Sequence, residues 1–139
     1  MGMACNNNEP QRTMIHDSWS SFSVQDLDAA EKFYSQILGI RVNRLDMGIL
    51  ELLPPGGNKV WIYPKDDHQP ATHTVLNLIV DNMDKEADRL FGLGIKFERY
   101  PGFDMDSRGI CRSENGLTIA WFKDPSDNII GIIEGPPTA

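Results

Sequence analysis

The sequence predicts an α+β fold built from two tandem βαβββ modules that form a cupped mixed sheet. The chain contains an internal repeat, in which VQDLDAAEKFYSQILGI at residues 24–40 corresponds to VDNMDKEADRLFGLGI at residues 80–95. In each copy a Val ends an extended run, an Asp or Asn follows, and an amphipathic helix leads into Leu-Gly-Ile. A repeat of this length marks two copies of one supersecondary unit, neither of which can bury its apolar face alone.

The elements of the first module follow from alternation, capping and turn residues. Residues 18–24 alternate and indicate a strand, after which Asp26 is a suitable N-cap for a helix with one apolar stripe that Gly39 closes. Three strands are predicted next, at about 40–46, 49–53 and 59–63. The order is therefore βαβββ.

The second module is predicted to repeat this order, with a strand at 73–80 and a helix from Asn82 to Gly94. Its other strands are predicted near 95–100, 117–123 and 128–134. The helices are offset by 56 positions (80 − 24), whereas Asn58 and Asn128 are offset by 70 (128 − 58). About fourteen extra residues are therefore placed at 101–116, between the second and third strands, as a mobile flap beside the cup.

Composition indicates one compact domain without a membrane or nucleic-acid partner. The expected boundaries are 1–16 for a disordered tail, 17–139 for a single domain, and 17–64 and 73–134 for its modules. A formal net charge of −7 disfavours a nucleic-acid surface, and no apolar run is long enough to span a membrane. The two cysteines, Cys5 and Cys111, make no disulfide framework, which favours a cytoplasmic setting.

Two strings resemble a known family. They are D-L-D-x-A-x-x-F-Y-x-x-x-L-G-I at residues 26–40 and W-F-x-D-P-x-x-N-I-I at residues 121–130. On two tandem βαβββ modules, these strings resemble the vicinal-oxygen-chelate superfamily, which includes glyoxalase I, extradiol dioxygenases, fosfomycin-resistance thiol transferases and bleomycin-resistance proteins. The resemblance covers roughly residues 17–134. It specifies a fold and leaves the reaction open, because function resides in sites grafted on folds.

The resemblance also implies four metal-ligand positions on the cupped faces. In this chain they hold Trp19, Trp61, Val75 and Gly131. None of these side chains can coordinate a hard or borderline divalent ion, so we predict no metal and no cofactor. The alternative is a strand register displaced by two residues, which would bring Asp17 and His73 to ligand positions.

Period-two alternation and the family alignment bring aromatic and polar side chains to the concave face. The candidate ligand-binding residues are Trp19, Glu51, Trp61, Tyr63, His73, Asn77 and Trp121. A carboxylate on an aromatic face requires a partner such as Lys59, Arg108, Arg112 or a ligand cation. Two alternatives are that Glu51 faces outward and that the aromatic side chains fill the cup as core.

We expect a metal-free protein that binds a small apolar or aromatic organic molecule, in the manner of glyoxalase-like and bleomycin-resistance proteins, and that forms a homodimer. One alternative is a metal-dependent lyase, dioxygenase or thiol transferase of the same superfamily. Another is a metal-free enzyme in which Glu51 and His73 act as general base and acid.

Overall fold

The computed structural model describes residues 13–114 and 116–135, so most of the predicted tail lies outside the described residues. The first module contains β1 (Ser20–Val24), α1 (Leu27–Lys32, continuing as π-helical turns over Phe33–Ile37), β2 (Arg41–Arg44), β3 (Leu50–Leu53) and β4 (Val60–Pro64). The second contains β5 (Thr74–Val80), α2 (Met83–Gly92), β6 (Cys111–Arg112), β7 (Thr118–Lys123) and β8 (Ile129–Glu134).

Both helices begin and end where the sequence predicts. The side chains of Asp26 and Asn82 each accept a hydrogen bond from the backbone N–H three residues later, at 3.1 and 3.0 Å. These bonds satisfy amides that the first helical turn leaves free. Gly39 and Gly94 follow the two helices with φ of 71° and 89°, the left-handed conformation that glycine adopts at low cost.

Each module forms a four-stranded mixed sheet of the same topology. The strand orders are β1-β4-β3-β2 and β5-β8-β7-β6. In each sheet the first and last strands of the module pair in parallel, and the other neighbours are antiparallel. The predicted α+β fold of two βαβββ modules is therefore confirmed. Among the described residues, no helix has the length and apolar character needed to cross a membrane.

One continuous core lies between the helices and the outer faces of both sheets. Phe22, Leu50 and Ile62 of the first sheet belong to the same buried cluster as Phe122 and Ile132 of the second. The opposite, inner faces of the two sheets both point away from this core because side chains alternate along a strand. The core thus fixes which side chains are left for a site.

A polar joint connects the modules at the carboxyl end of β1. Tyr34 donates a hydrogen bond to Asp124 Oδ2 at 2.7 Å, and Asn128 Nδ2 donates to Ser23 O at 2.9 Å. The backbone N–H following β1 donates to Ser126 Oγ at 2.9 Å. Asp124, Ser126 and Asn128 are buried, so these bonds satisfy groups that water cannot reach. We call these five residues, together with Gln25, which carries that N–H, the polar joint. It closes one end of the boundary between the sheets.

The second strand of the second module differs from the prediction. The predicted strand near 95–100 is wrong, because the segment that pairs with β7 is Cys111–Arg112. Helix-to-strand ion pairs identify the equivalence: Arg44 bonds Asp28 at 2.6 Å, and Arg112 bonds Asp84 at 2.9 Å. Residues 28 and 84 lie 56 apart, as the repeat requires, so β6 is the counterpart of β2.

The extra residues therefore interrupt the second strand instead of following it. Glu98 N donates to Trp121 O of β7 at 2.7 Å, and the chain returns to β7 only at Cys111. The predicted location at 101–116 is corrected to residues 99–110, hereafter the insertion. A regular strand cannot continue past Glu98 because the chain leaves the sheet there.

The insertion is internally bonded and attached to α2. Asp106 Oδ1 accepts hydrogen bonds from the amides of Arg108 and Ile110 at 2.9 and 3.0 Å. Arg108 pairs with Asp84, while Ile110 is buried in the core. Desolvation is the largest single influence on the pKa of Asp106 and raises it. The hydrogen bonds from these amides and from Arg112, with the charge of Arg108, together outweigh it and lower the pKa. Mobility of this segment stays a prediction.

Candidate functional site

Four side chains of the first module gather on the inner face of the first sheet. Glu51 lies beside Trp61 in the β3–β4 register, and Trp61 lies beside Ser21 in the β1–β4 register. Trp19, just before β1, reaches the same face, and so does Lys59, just before β4. We call Trp19, Glu51, Lys59 and Trp61 the indole cluster.

Glu51 is the polar centre of the indole cluster. Its Oε2 accepts a hydrogen bond from Trp61 Nε1 at 3.1 Å and lies 3.9 Å from Lys59 Nζ. Its side chain is only 17% exposed, so these two partners offset the desolvation of the charge. Lys59 is therefore the partner that Glu51 uses, and the outward-facing alternative does not hold.

The indole rings supply the apolar part of the cluster. The centroids of Trp19 and Trp61 are 5.1 Å apart with planes tilted by 42°, and Lys59 Nζ lies 4.9 Å from the Trp19 ring centroid. That distance is within the range of a cation–π contact. Trp19 keeps 44% of its surface exposed, so part of the indole remains accessible. Tyr63, one alternation step along β4 from Trp61, is also exposed on this face.

The inner face of the second sheet carries a separate cluster. Asn77, Gly131 and Trp121 lie in one row across β5, β8 and β7. Trp121 is 9% exposed because two rings of the insertion pack on it edge-on, Tyr100 at 5.5 Å and Phe103 at 5.1 Å between centroids. Trp121 thus points to the predicted face, but the insertion already covers it.

The covering rings were not identified from the sequence. Tyr100 falls in the wrongly predicted strand, and Phe103 in a segment treated only as a flap. The hydroxyl of Tyr100 is buried without a hydrogen-bond partner among the described residues. Desolvation, followed by the charge of Glu98, raises the pKa of this hydroxyl. The available signal for these rings was an aromatic residue at every third position, at 97, 100 and 103.

Within the described chain, His73 makes no hydrogen bond, ion pair or ring contact with the indole cluster. The β5–β8 register shifts between Thr74 and Leu76, which marks a β-bulge. Alternation counted back from Val75 therefore fails at His73, which is exposed and has no hydrogen bond or ion pair with another described residue. Pairing of His73 with Glu51 as acid and base has no support from this geometry.

The residues at the expected metal positions do not fit a metal ion. Two are indoles of the indole cluster, and the third, Val75, has an aliphatic side chain. At Gly131 even a Cβ atom would overlap Asn77 Oδ1. A carboxylate ligand on that part of β8 would therefore require Asn77 to move. No group of three or more His, Cys, Asp or Glu side chains suited to a metal occurs in residues 13–114 and 116–135.

A cavity of about 820 Å³ lies between the edge strands β1 and β5, at the end opposite the polar joint. Its lining includes Trp19 and Lys59 of the indole cluster together with Asn77 of the second sheet. Ile79, also in the lining, is 65% exposed. The cavity therefore joins candidate residues of both modules, and its volume is in the range of small-molecule sites.

Comparison with known proteins places the chain in a family. The sequence model described as Glyoxalase/Bleomycin resistance protein/Dioxygenase superfamily matches residues 18–132. The chain belongs to this superfamily. The match covers both modules and most of the described chain, as the two sequence strings predict.

Solved superfamily structures share the fold of this chain. A superfamily member from Sphaerobacter thermophilus is 27% identical with a TM-score of 0.67, over 88% of this chain and 100% of that one. Lactoylglutathione lyase from Agrobacterium tumefaciens is 19% identical, with a TM-score of 0.63 over 88% and 96% of the chains. The fosfomycin resistance protein FosX from Listeria monocytogenes is 16% identical, with a TM-score of 0.64 over 88% and 95%. The last two likenesses concern the fold alone.

A curated relative matches only part of the chain. Ribosome maturation factor RimM from Streptococcus uberis is 34% identical over 70 residues, which are 48% of this chain and 41% of that protein. The match thus spans less than half of the relative's length. This partial match does not indicate the activity of the present chain.

Proposed function

We propose that this superfamily member binds a small organic molecule with an aromatic or apolar body at the indole cluster, without a metal ion. The observation that supports this function is the half-open pair of Trp19 and Trp61 beside a paired, largely buried Glu51. Large apolar rings with a few placed polar groups are the usual composition of a small-molecule site.

The geometry favours a flat ligand with one polar group. The exposed part of the Trp19 indole would pack against an aromatic ring, which is favourable beyond the area it buries. Glu51 and Lys59 carry opposite charges close together, so together they offer an acceptor and a donor to a polar substituent. The adjoining cavity of about 820 Å³ provides room for the rest of the molecule.

A metal-dependent lyase, dioxygenase or transferase is less well supported. Such chemistry requires imidazole, carboxylate or carbonyl ligands converging on one point. Here the corresponding positions hold indoles, Val75 and Gly131. The lyase and the fosfomycin-resistance protein share the fold, and a shared fold does not carry the reaction.

A ligand screen on chelator-treated protein would test this function. Binding to the native state raises the apparent melting temperature, so a hit is seen as a thermal shift. Confirmed hits should quench tryptophan fluorescence and bind Trp61→Ala at least about tenfold more weakly. Phe103→Ala, which alters the second aromatic cluster, is the matched control and should keep its affinity.

Two results would contradict the proposal. One is elemental analysis of protein purified without chelator that finds close to one divalent ion per chain. The other is a confirmed ligand whose affinity is unchanged in Trp61→Ala and in Glu51→Gln. If the wild type converts a confirmed ligand to product and Glu51→Gln does not, the site is catalytic and not only a binding site.

We also propose that the protein forms a homodimer. Ile79 on edge strand β5 is exposed, and so are Trp19 and Tyr63 of the first sheet. Edge strands and exposed apolar side chains of this kind favour pairing with a second copy. Light scattering at high micromolar concentration should give twice the chain mass, and a monomer there would contradict this.

A further inference from the structure

A second pocket lies outside both aromatic clusters and exists because of the insertion. It has a volume of about 470 Å³ and lies between the end of α2 and the insertion. In the first module, β2 starts at Arg41, two residues after Gly39, so a regular strand follows the helix directly. In the second, the segment after Gly94 forms no regular strand, and residues 107–108 of the insertion form the opposite wall. We call this space the insertion pocket.

The floor of the insertion pocket is aromatic. Phe91 and Phe97 pack with ring centroids 4.8 Å apart, and Ile95 lies between them in sequence. Phe97 belongs to the core and is 8% exposed, so the floor is held in place by the interior of the protein. An apolar group placed here would lose water contact without displacing a loop.

The rim of the insertion pocket is basic. Among the lining residues are Lys96, Arg99 and Arg108, and none of the lining residues is acidic. The whole chain carries a formal net charge of −7, so this local sign is opposite to that of the protein. Such a concentration of one sign beside low-dielectric walls favours a counter-ion.

The rim cations differ in how far they are already paired. Arg108 pairs with Asp84 and with Asp88, at 3.5 Å to the latter. Arg99 donates to the backbone oxygen of Asp106 at 2.8 Å, which is a neutral acceptor. Neither Arg99 nor Lys96 has a carboxylate partner within the described chain. Two positive charges therefore remain uncompensated at the mouth of an apolar pocket.

We propose that the insertion pocket binds an amphiphilic organic anion, with an aryl or alkyl body on Phe91 and Phe97 and an anionic head at Lys96 and Arg99. Guanidinium and ammonium groups both bind carboxylate, sulfonate and phosphate oxygens through charge-assisted hydrogen bonds. This site is independent of the indole cluster and of the ligand proposed for it.

Two fluorescent probes that share an aromatic body test the charge requirement. 8-Anilino-1-naphthalenesulfonate carries a sulfonate, and N-phenyl-1-naphthylamine is its neutral counterpart. The double variant Lys96→Glu, Arg99→Glu should bind the sulfonate about tenfold more weakly or worse, with little change for the neutral probe. Circular dichroism melting checks that the variant is folded.

The matched control is Lys32→Glu, Lys85→Glu, which makes the same change in net charge on the exposed surfaces of the two helices. It should bind the sulfonate probe nearly as well as the wild type. Equal weakening in both double variants would show a general charge effect and overturn the site. Unchanged sulfonate affinity in the rim variant would also overturn it, and would assign the probe to another surface such as the indole cluster.

If the rim variant does not fold, Lys96→Gln and Arg99→Gln are measured singly. Each variant should then lower the affinity for the sulfonate probe by a few-fold and leave the affinity for the neutral probe unchanged. Equal affinity of the two probes for the wild type would contradict the proposal without any variant.

Discussion

The two ends of the boundary between β1 and β5 have the same backbone plan and opposite contents. At the carboxyl end of β1, the polar joint closes the boundary with buried Asp124, Ser126 and Asn128. At the amino end of β1, a cavity of about 820 Å³ opens beside exposed Ile79. The repeat makes the two ends internally related, so each serves as a control for the other.

The residues that correspond by the repeat explain the difference. Ser23 and Tyr34 correspond to Ile79 and Leu90 by the helix offset of 56. Asp124, Ser126 and Asn128 correspond to Pro54, Gly56 and Asn58 by the offset of 70. Only the asparagine is retained, and Asn58 is exposed. At the open end the modules are linked through an exposed hydrogen bond from Arg89 to Ile37 O at 2.8 Å.

A repeated backbone can thus be closed by buried polar side chains at one end and left open at the other. Backbone bonds that close each module are the same, with Lys65 N to Val24 O and Gly135 N to Val80 O both at 3.0 Å. The side chains at the two ends of the boundary differ. Stability and the proposed ligand binding can therefore be altered separately.

Loss of Asp124 should have the largest effect. Its carboxylate accepts bonds from Tyr34 Oη and Asn128 Nδ2 at 2.7 and 3.0 Å, and from two backbone amides of the turn. Asp124→Ala leaves these buried donors unsatisfied and should lower the free energy of unfolding by about 3–5 kcal/mol. Urea denaturation measures this. Pro54→Ala, the change at the corresponding position of the open end, should lower the free energy of unfolding by less than about 1 kcal/mol. Equal losses in the two variants would show that the two ends contribute equally to stability.

The two asparagines offer the closest matched pair. Asn128→Ala removes the bond to Ser23 O across the boundary and should cost about 2 kcal/mol. Asn58→Ala removes an exposed side chain and should stay within about 0.5 kcal/mol. Both are measured by urea denaturation under one set of conditions. A larger loss of unfolding free energy for Asn58→Ala than for Asn128→Ala would show that the polar joint is not the end that holds the modules together.

The polar joint should also weaken at high pH. Burial first, and then the charge and hydrogen bond of Asp124, raise the pKa of Tyr34 well above its ordinary value of 10.0. The folded state therefore holds this proton more tightly than the unfolded state does. The resulting stability is fully present below pH 10 and is lost as pH rises through the folded pKa, by up to about 1.4 kcal/mol per pH unit.

Tyr34→Phe removes this titration, so its stability should fall less steeply above pH 10 than that of the wild type. Denaturant midpoints between pH 9 and 11 give the slopes, and Tyr63→Phe, an exposed change, should retain the wild-type slope. Identical slopes for Tyr34→Phe and the wild type would remove the joint as the source of the pH dependence.

The smallest effect is expected where the insertion meets α2. Arg108 and Arg112 lower the pKa of Asp84, chiefly through the Arg108 hydrogen bond. Asp84→Asn should leave the melting temperature nearly unchanged but speed amide hydrogen exchange in residues 106–112. Asp28→Asn, the corresponding change in the first module, should leave exchange of that segment unchanged. Exchange that is equally slow in Asp84→Asn would show that the insertion is held by its buried Ile110 instead.

Elements with local signals could be predicted from the sequence. Asp26 and Asn82 cap helices through their own side chains, and glycine closes both helices. The inward placement of Trp61 and Glu51 also follows locally, because β3 and β4 are regular strands whose side chains alternate. The pairing of Glu51 with Lys59 required only that both lie on one face.

Features that depend on distant chain segments could not be predicted in the same way. The β-bulge between Thr74 and Leu76 leaves no mark in the composition of β5, so alternation alone could not be followed back along the strand to His73. The insertion was placed too late because the offset was measured only from Asn58 and Asn128. The shared spacing of Arg44 to Gly48 and Arg112 to Gly116 would have placed it before β6.

The polar joint also defines a pivot. A strand of five residues such as β1 is about 17 Å long. If the two sheets turned by about 5° around the joint, the far ends of β1 and β5 would separate by about 1.5 Å, a displacement that follows from strand length alone. Trp19 lies at that far end and Tyr34 at the fixed end. The same small rotation that leaves the buried hydrogen bonds intact would thus change the width of the cavity mouth by roughly the radius of a water molecule.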